Sequence, residues 1–283
     1  MIHHKNSSNF VKNEELDVTM DDTLWLLIIK EVNICIVEEP LLSAYLQSAI
    51  LNHKSLEDSI CWILAEQLKS DALSADALRL LIIEAFSSDD IMRKNIRMDL
   101  AAYIERDPAC GQYYLPLLYF KGFHALQIHR VGSWLWKTKR RHTALFLQNK
   151  ASEIFSVDIH PGAKIGGGVM VDHATGLVVG ETTVIDDNVS LLHAVTLGGT
   201  GVGSENRHPK VRTGVMIAAG AKILGNIEIG VGAKVGAGSL VLDSVPPHTT
   251  VAGVPSKIVG HPDEDEPSRE MNQAIDINFS SDL

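Results

Sequence analysis

Apolar positions keep two different periods along this chain. From about Asp21 to Phe155 they recur three and four residues apart, the spacing of helices with one buried stripe. Start signals punctuate that half: Ser55-Leu56-Glu57-Asp58 and Ser74-Ala75-Asp76 each set a side-chain acceptor ahead of a periodic run. Pro40, Pro108 and Pro116 mark helix boundaries, and the aromatic and branched residues between Leu115 and Leu147 predict helices packed on something large.

After Phe155 the aliphatic residues return every six positions: Ile159, Ile165 and Val171, then Val179, Ile185, Leu191 and Leu197, then Val211, Ile217, Ile223, Ile229, Val235 and Val241. The fourth residue after each is mostly small or β-branched, as at Ala163, Val169, Thr175, Thr183, Ala233 and Ser239, and glycine often follows directly. Helices and flat hairpins do not have this period. A coil of short strands does, with the aliphatic residue pointing inward and small residues easing the corners. Two departures interrupt it, a slip between Val171 and Val179 and an excursion from Gly199 to Lys210. A buried loop strands its backbone polar groups, so the excursion is predicted to leave at a corner as an exposed arm, a common carrier of function. The predicted fold class is therefore α+β. Residues 1–20 form a disordered extension, 21–155 an all-α domain, 156–260 a parallel β-solenoid and 261–283 a flexible tail, with acidic, Pro-containing Pro262 to Glu270 lacking fixed structure.

Composition narrows the function. A net charge of −10 over 283 residues disfavours a nucleic-acid partner and requires a local basic site for any anionic substrate. The run Lys137, Lys139, Arg140, Arg141, His142 reads as a solvated helix terminus. Cys35, Cys61 and Cys110 lack CxxC or zinc-ligand spacing and read as reduced core thiols. The amino terminus has no apolar leader, and the run Leu24 to Ile29 is broken by Lys30 and Glu31, so no membrane span and a soluble cytoplasmic protein are expected.

The hexads resemble those of the hexapeptide-repeat acyltransferases, which implies a left-handed parallel β-helix with three hexads to a triangular coil. Within that superfamily the chain resembles the serine O-acetyltransferases. The resemblance is carried by RDPA (Arg106 to Ala109), LLYFKGFHALQIHR (Leu117 to Arg130), VDIHPGAKIG (Val157 to Gly166), DHATG (Asp172 to Gly176), VVGET (Val178 to Thr182), LGGTG (Leu197 to Gly201), NRHPK (Asn206 to Lys210) and AGVPSKIVG (Ala252 to Gly260). It spans Asp21 to Gly260, helical half included.

The resemblance implies transfer of acetyl from acetyl-CoA to L-serine, the first step of cysteine biosynthesis from serine. A serine hydroxyl is a poor nucleophile until a base removes its proton, and histidine suits that task near neutrality. His173, two places after inward Val171, is predicted at a corner or facing outward; the resemblance makes it the base and Asp158 its orienting carboxylate. By the residues alone Asp158 is a turn residue and Asp107 a helix cap beside Pro108. The resemblance adds Asp107 and Asp172 as serine-binding carboxylates, with Arg207 and His208 on the excursion as partners for the substrate carboxylate and neighbouring groups. For acetyl-CoA it implies a groove at Gly199, Thr200, Ala219, Gly220 and Ala237, with Lys234 meeting a phosphate, although solenoid corners require small residues anyway. Acetyl-CoA is a co-substrate, and no tightly bound cofactor or metal is expected.

The resemblance also implies inhibition by L-cysteine, a homotrimer paired into a hexamer, and a tail that docks on cysteine synthase. That docking tail ends in isoleucine whereas this chain ends in Leu283, a shifted branch that a tight pocket resists. Three rivals stay open: a hexapeptide acyltransferase with another acceptor, a carbonic-anhydrase-like metalloenzyme using His160, His173 and His193, and a non-catalytic scaffold valued for its tail.

Overall fold

The computed structural model describes residues 20–201 and 205–275; nearly all of the expected extension 1–20, and Leu283 with the end of the tail, lie outside them. Eight α-helices occupy the first half of the described chain: α1 (Met20–Glu38), α2 (Ser43–Leu46), α3 (Leu56–Leu68), α4 (Ala75–Ser88), α5 (Asp90–Arg106), α6 (Tyr114–Tyr119), α7 (Lys121–Lys137) and α8 (Arg141–Phe155). The two start signals act as caps, with Ser55 Oγ accepting from Asp58 N at 3.2 Å and Ser74 Oγ from Ala77 N at 3.3 Å. The buried stripes, among them Ile28, Leu64, Ile82 and Phe123, join one core with the solenoid. All three cysteines are free and buried. The basic run is exposed, as expected of a solvated terminus, and Arg140 and Arg141 lie over Trp134 and Trp136 at 5.6 and 4.8 Å. Among the described residues no helix is long and apolar enough to cross a membrane.

From Val157 the chain winds as a solenoid of about five coils with three faces. Face 1 holds Val157–Ile159, Leu177–Val179, Thr196–Gly198, Lys222–Leu224 and Leu240–Val241. Face 2 holds Lys164–Ile165, Val184–Ile185, Lys210–Val211 and Glu228–Ile229. Face 3 holds Met170–Val171, Ser190–Leu191, Met216–Ile217 and Lys234–Val235, and is closed by Thr250–Gly253 and the antiparallel Ser256–Gly260. The other pairings are parallel, and one column on face 3 runs Val171, Leu191, Ile217, Val235. The predicted inward aliphatics are buried apart from Ile165, which is half-buried. At the slip the period fails in one respect: Ala174 and Leu177 are buried while Thr175 turns outward. The extra residues are absorbed where Ala174 (φ 59°) and Gly176 (φ 78°) adopt left-handed backbone.

Helices α5 and α7 cover face 3. The buried pair Asp99–Arg130 closes at 2.6 Å, and Arg130 Nη2 also donates to Gly166 O at 2.7 Å, tying both helices to the solenoid. Tyr103 Oη donates to Val171 O at 3.0 Å. Gly122 allows this approach, since a Cβ there would stand 2.0 Å from Val171 O.

One expectation is corrected. The segment from Pro262 to Glu270 is not a linker without fixed structure: it folds back over face 3, where α9 (Pro267–Glu270) buries Ser268 completely. Ser268 Oγ donates to Asn188 O at 2.6 Å, Ser268 O accepts from Ser190 Oγ at 2.8 Å, and Arg269 pairs with Glu105 at 3.1 Å. A few well-placed bonds to the wall outweigh the acidic composition from which disorder was read.

Candidate active site

Where α5 ends and α7 begins, the first corner between faces 3 and 1 closes a cavity of about 410 Å³. Its lining brings together Asp107, Asp172 and His173, three of the residues singled out in the sequence, with Tyr103, Tyr119 and Lys121 around them. Asp107 follows α5 directly and its Oδ1 accepts from Ala109 N at 2.9 Å, so it closes the turn after one helix rather than capping the next. His173 projects from the corner with 73% of its side chain exposed, its Nε2 3.7 Å from Asp172 Oδ2. Its backbone lies at φ 55°, a left-handed conformation that costs a residue with a Cβ roughly 1–2 kcal/mol. Lys121, which sequence reasoning missed, donates to Thr175 Oγ1 and pins the corner to α7.

The register extends this corner upward. Two residues beyond the face 3 column stand His173, His193, Ala219 and Ala237; the next place is taken by Ala174, Ala194, Gly220 and Gly238, all at positive φ. The rings of His173 and His193 meet edge-on at 5.8 Å. Ala219, Gly220 and Ala237 thus continue one small-residue edge above the histidines. Lys234 is different: it is buried in face 3, and its Nζ donates to Ala274 O at 2.5 Å beneath the returning tail.

Arg207 and His208 lie at another corner, between faces 1 and 2, where the excursion leaves after Gly198–Gly199. Arg207 Nη2 pairs with Glu181 Oε2 at 2.7 Å, and this hydrogen bond holds the Glu181 carboxyl below its usual range. His208 is buried against Gly180, where a Cβ would stand 2.0 Å from its ring. Thr182, also missed, gathers the arm: its Oγ1 accepts from Arg207 N at 3.1 Å and His208 N at 3.2 Å. Gly199 packs beside the same imidazole, with a hypothetical Cβ 3.5 Å from His208 Nε2, and Thr200 follows on the arm. Asp158 projects from face 1, where its Oδ1 accepts from Gln148 Nε2 of α8 at 2.7 Å; among the described residues it makes no bond to His173. His160 stands at the arm's corner, its ring 5.0 Å from Trp136 and its Nδ1 accepting from Gly162 N at 3.0 Å. The three histidines of the metal rival are therefore divided between two corners, and among the described residues no three His, Cys, Asp or Glu side chains gather as a metal site.

Comparison with known proteins places this geometry in a lineage. The family profile described as "Serine acetyltransferase, N-terminal" matches residues 24–128. The serine acetyltransferase of Escherichia coli K12 is 56% identical over 235 residues, covering 83% of this chain and 86% of that protein. Serine acetyltransferase of Brucella abortus S19, solved in complex with coenzyme A, superposes with a TM-score of 0.83 at 49% identity over 85% of this chain and 96% of the other. A serine acetyltransferase solved in complex with cysteine superposes with a TM-score of 0.88 at 48% identity over 90% of this chain and 100% of the other. By fold and sequence alike, this chain belongs to the serine acetyltransferase family.

Proposed function

We propose that the protein transfers acetyl from acetyl-CoA to the hydroxyl of L-serine, giving O-acetyl-L-serine and CoA, with His173 as general base. The convergence of Asp107, Asp172 and His173 on one cavity carries the reading. The two carboxylates suit the serine ammonium. As the serine oxygen bonds to the thioester carbon, His173 takes the hydroxyl proton; when the C–S bond breaks, the imidazolium returns it to the leaving thiolate. The small-residue edge of Ala219, Gly220 and Ala237 suits the long thiol arm of the donor. L-Cysteine carries the same ammonium and carboxylate as serine and inhibits by occupying the same place. Lys234, beneath the tail, is set aside as a phosphate partner.

The substrate carboxylate needs a cation, and Arg207 stands at the opposite edge of face 1. Both corners bound that one face, so a cyclic trimer packed about its face 1 surfaces sets the His173 corner of one copy beside the Arg207 and His208 corner of the next. Outward Val178 and Leu242, 39% and 47% exposed, supply apolar surface for such packing. Asp158 projects from the same face and acts as the orienting carboxylate within this assembly.

The test is thiol release from acetyl-CoA with and without L-serine, for the intact protein and His173→Ala. Serine-dependent release lost in the variant supports the reading; release with another alcohol or amine instead corrects the acceptor. Mixing His173→Ala with Arg207→Ala after subunit exchange tests the shared site. Partial recovery of activity is expected, because some interfaces then combine two intact corners, and no recovery rejects the shared arrangement.

A further inference from the structure

The hydroxyl of Thr182 has one proton to give and two acceptor positions. Arg207 N and His208 N occupy the acceptor positions at 3.1 and 3.2 Å. Its proton is left for His208 Nδ1, 2.9 Å away, and Thr182 N donates to the same nitrogen at 3.2 Å. A nitrogen that accepts from two donors carries no proton, so the remaining proton of the neutral ring resides on Nε2. Among the described residues Nε2 has no hydrogen-bond partner, and it sits between Gly180 and Gly199, where added side chains would crowd it.

We propose that Thr182 is a positioning residue: it locks His208 as a neutral imidazole whose Nε2–H donates to the carboxylate of the acceptor substrate. This rests on the acetyl-transfer reading. The charged and titratable groups facing His208 favour the same state. Arg207 and Lys210 on the arm oppose a further positive charge, as does His160 from the turn below, and only Glu181 favours one; with burial as the leading cause, the ring titrates below its ordinary value. Lys210 Nζ, donating to Thr182 O at 2.7 Å and His208 O at 2.8 Å, clamps both residues in register. Protonating Nδ1 would set a third donor against the two already aimed there.

Thr182→Val removes the hydroxyl at similar volume, and Thr182→Ser retains it. For the valine variant we expect KM for serine to rise about tenfold with KM for acetyl-CoA unchanged, the scale of one hydrogen bond to a charged group. The acid limb of kcat/KM for serine should also move to higher pH, because the His208 ring without its hydroxyl donor is easier to protonate; the serine variant should restore both. An unmoved acid limb in the valine variant, or a serine variant as impaired as valine, overturns the proposal. A second measurement needs no turnover. In the full chain labelled with ¹⁵N-histidine, the signals lost in His208→Asn should report an Nε2–H tautomer, and an Nδ1–H tautomer rejects the lock. Absence of serine-dependent release in the unmodified protein would reject the acetyl-transfer reading, while the ¹⁵N spectrum still judges the lock.

Discussion

The two corners that bound face 1 each present a histidine, and they are built in opposite ways. His173 stands on left-handed backbone, largely exposed, with its ring set between Asp172 and His193. His208 is buried on a flat glycine, and its Nδ1 is committed to Thr182. A group that takes and returns a proton must reach two oxygen or sulfur positions in turn, whereas a fixed donor works best when its orientation is settled before substrate arrives. The helical half walls the first corner; at the second the bonds that hold the arm come from the solenoid itself, through Thr182.

The largest effect that would test this contrast is at the exposed ring. His173→Ala should lower kcat by about 10²- to 10⁴-fold with the fold intact by circular dichroism; a smaller loss would mean that the ring moves no proton. Acid should separate the corners next. His124 and His129 are buried in α7, and burial pushes them down to about 4 and about 3 from 6.5. Both are neutral in the folded protein, so the unfolded chain binds protons first as pH falls below 6.5, and stability present above that value is lost toward about 4 and about 3. Each pH unit in this window costs up to about 1.4 kcal/mol per histidine. Hydrogen exchange at pH 7 and pH 5 should therefore show α7 loosening where His124 backs the His173 corner and where His129 faces the His160 turn, while the amides of Thr182 and His208 hold, and uniform loosening would count against the division of labour.

Smaller in scale is Gly180→Ala, whose Cβ would collide with the His208 ring. It should lower kcat/KM for serine roughly 10- to 100-fold and stability by about 1–3 kcal/mol, read by kinetics and urea midpoints. The smallest effect runs the other way. His173→Gly loses the same ring as His173→Ala but relieves the left-handed backbone, and should be about 0.5–1 kcal/mol more stable than the parent, visible as a higher urea midpoint.

Much of this fold is legible along the chain because its signals are local. Six-residue spacing sets Val171, Leu191 and Ile217 inward without knowledge of the rest, and Ser55 and Ser74 cap helices from three residues away. The cavity is less legible. Asp107 reads as a cap on its own terms, and its joining His173 depends on α5 docking against a strand far along the chain. Thr182 was missed because its partners Arg207 and His208 return to it only through the arm. The tail was misjudged from its charge, since Ser268 finds its carbonyl on a wall laid down much earlier.

The excursion itself has a further implication. Val184 pairs with Lys210 and Ser190 with Met216 as evenly as the neighbours on either side, so coil winding resumes in step after the arm has left and returned. The arm resembles an interchangeable tool on a fixed handle. A change in its length or tip should leave the prism undisturbed while its base stays fastened at Thr182, so that, on the proposed role of Arg207 and His208, acceptor selectivity can be altered separately from the scaffold that displays it.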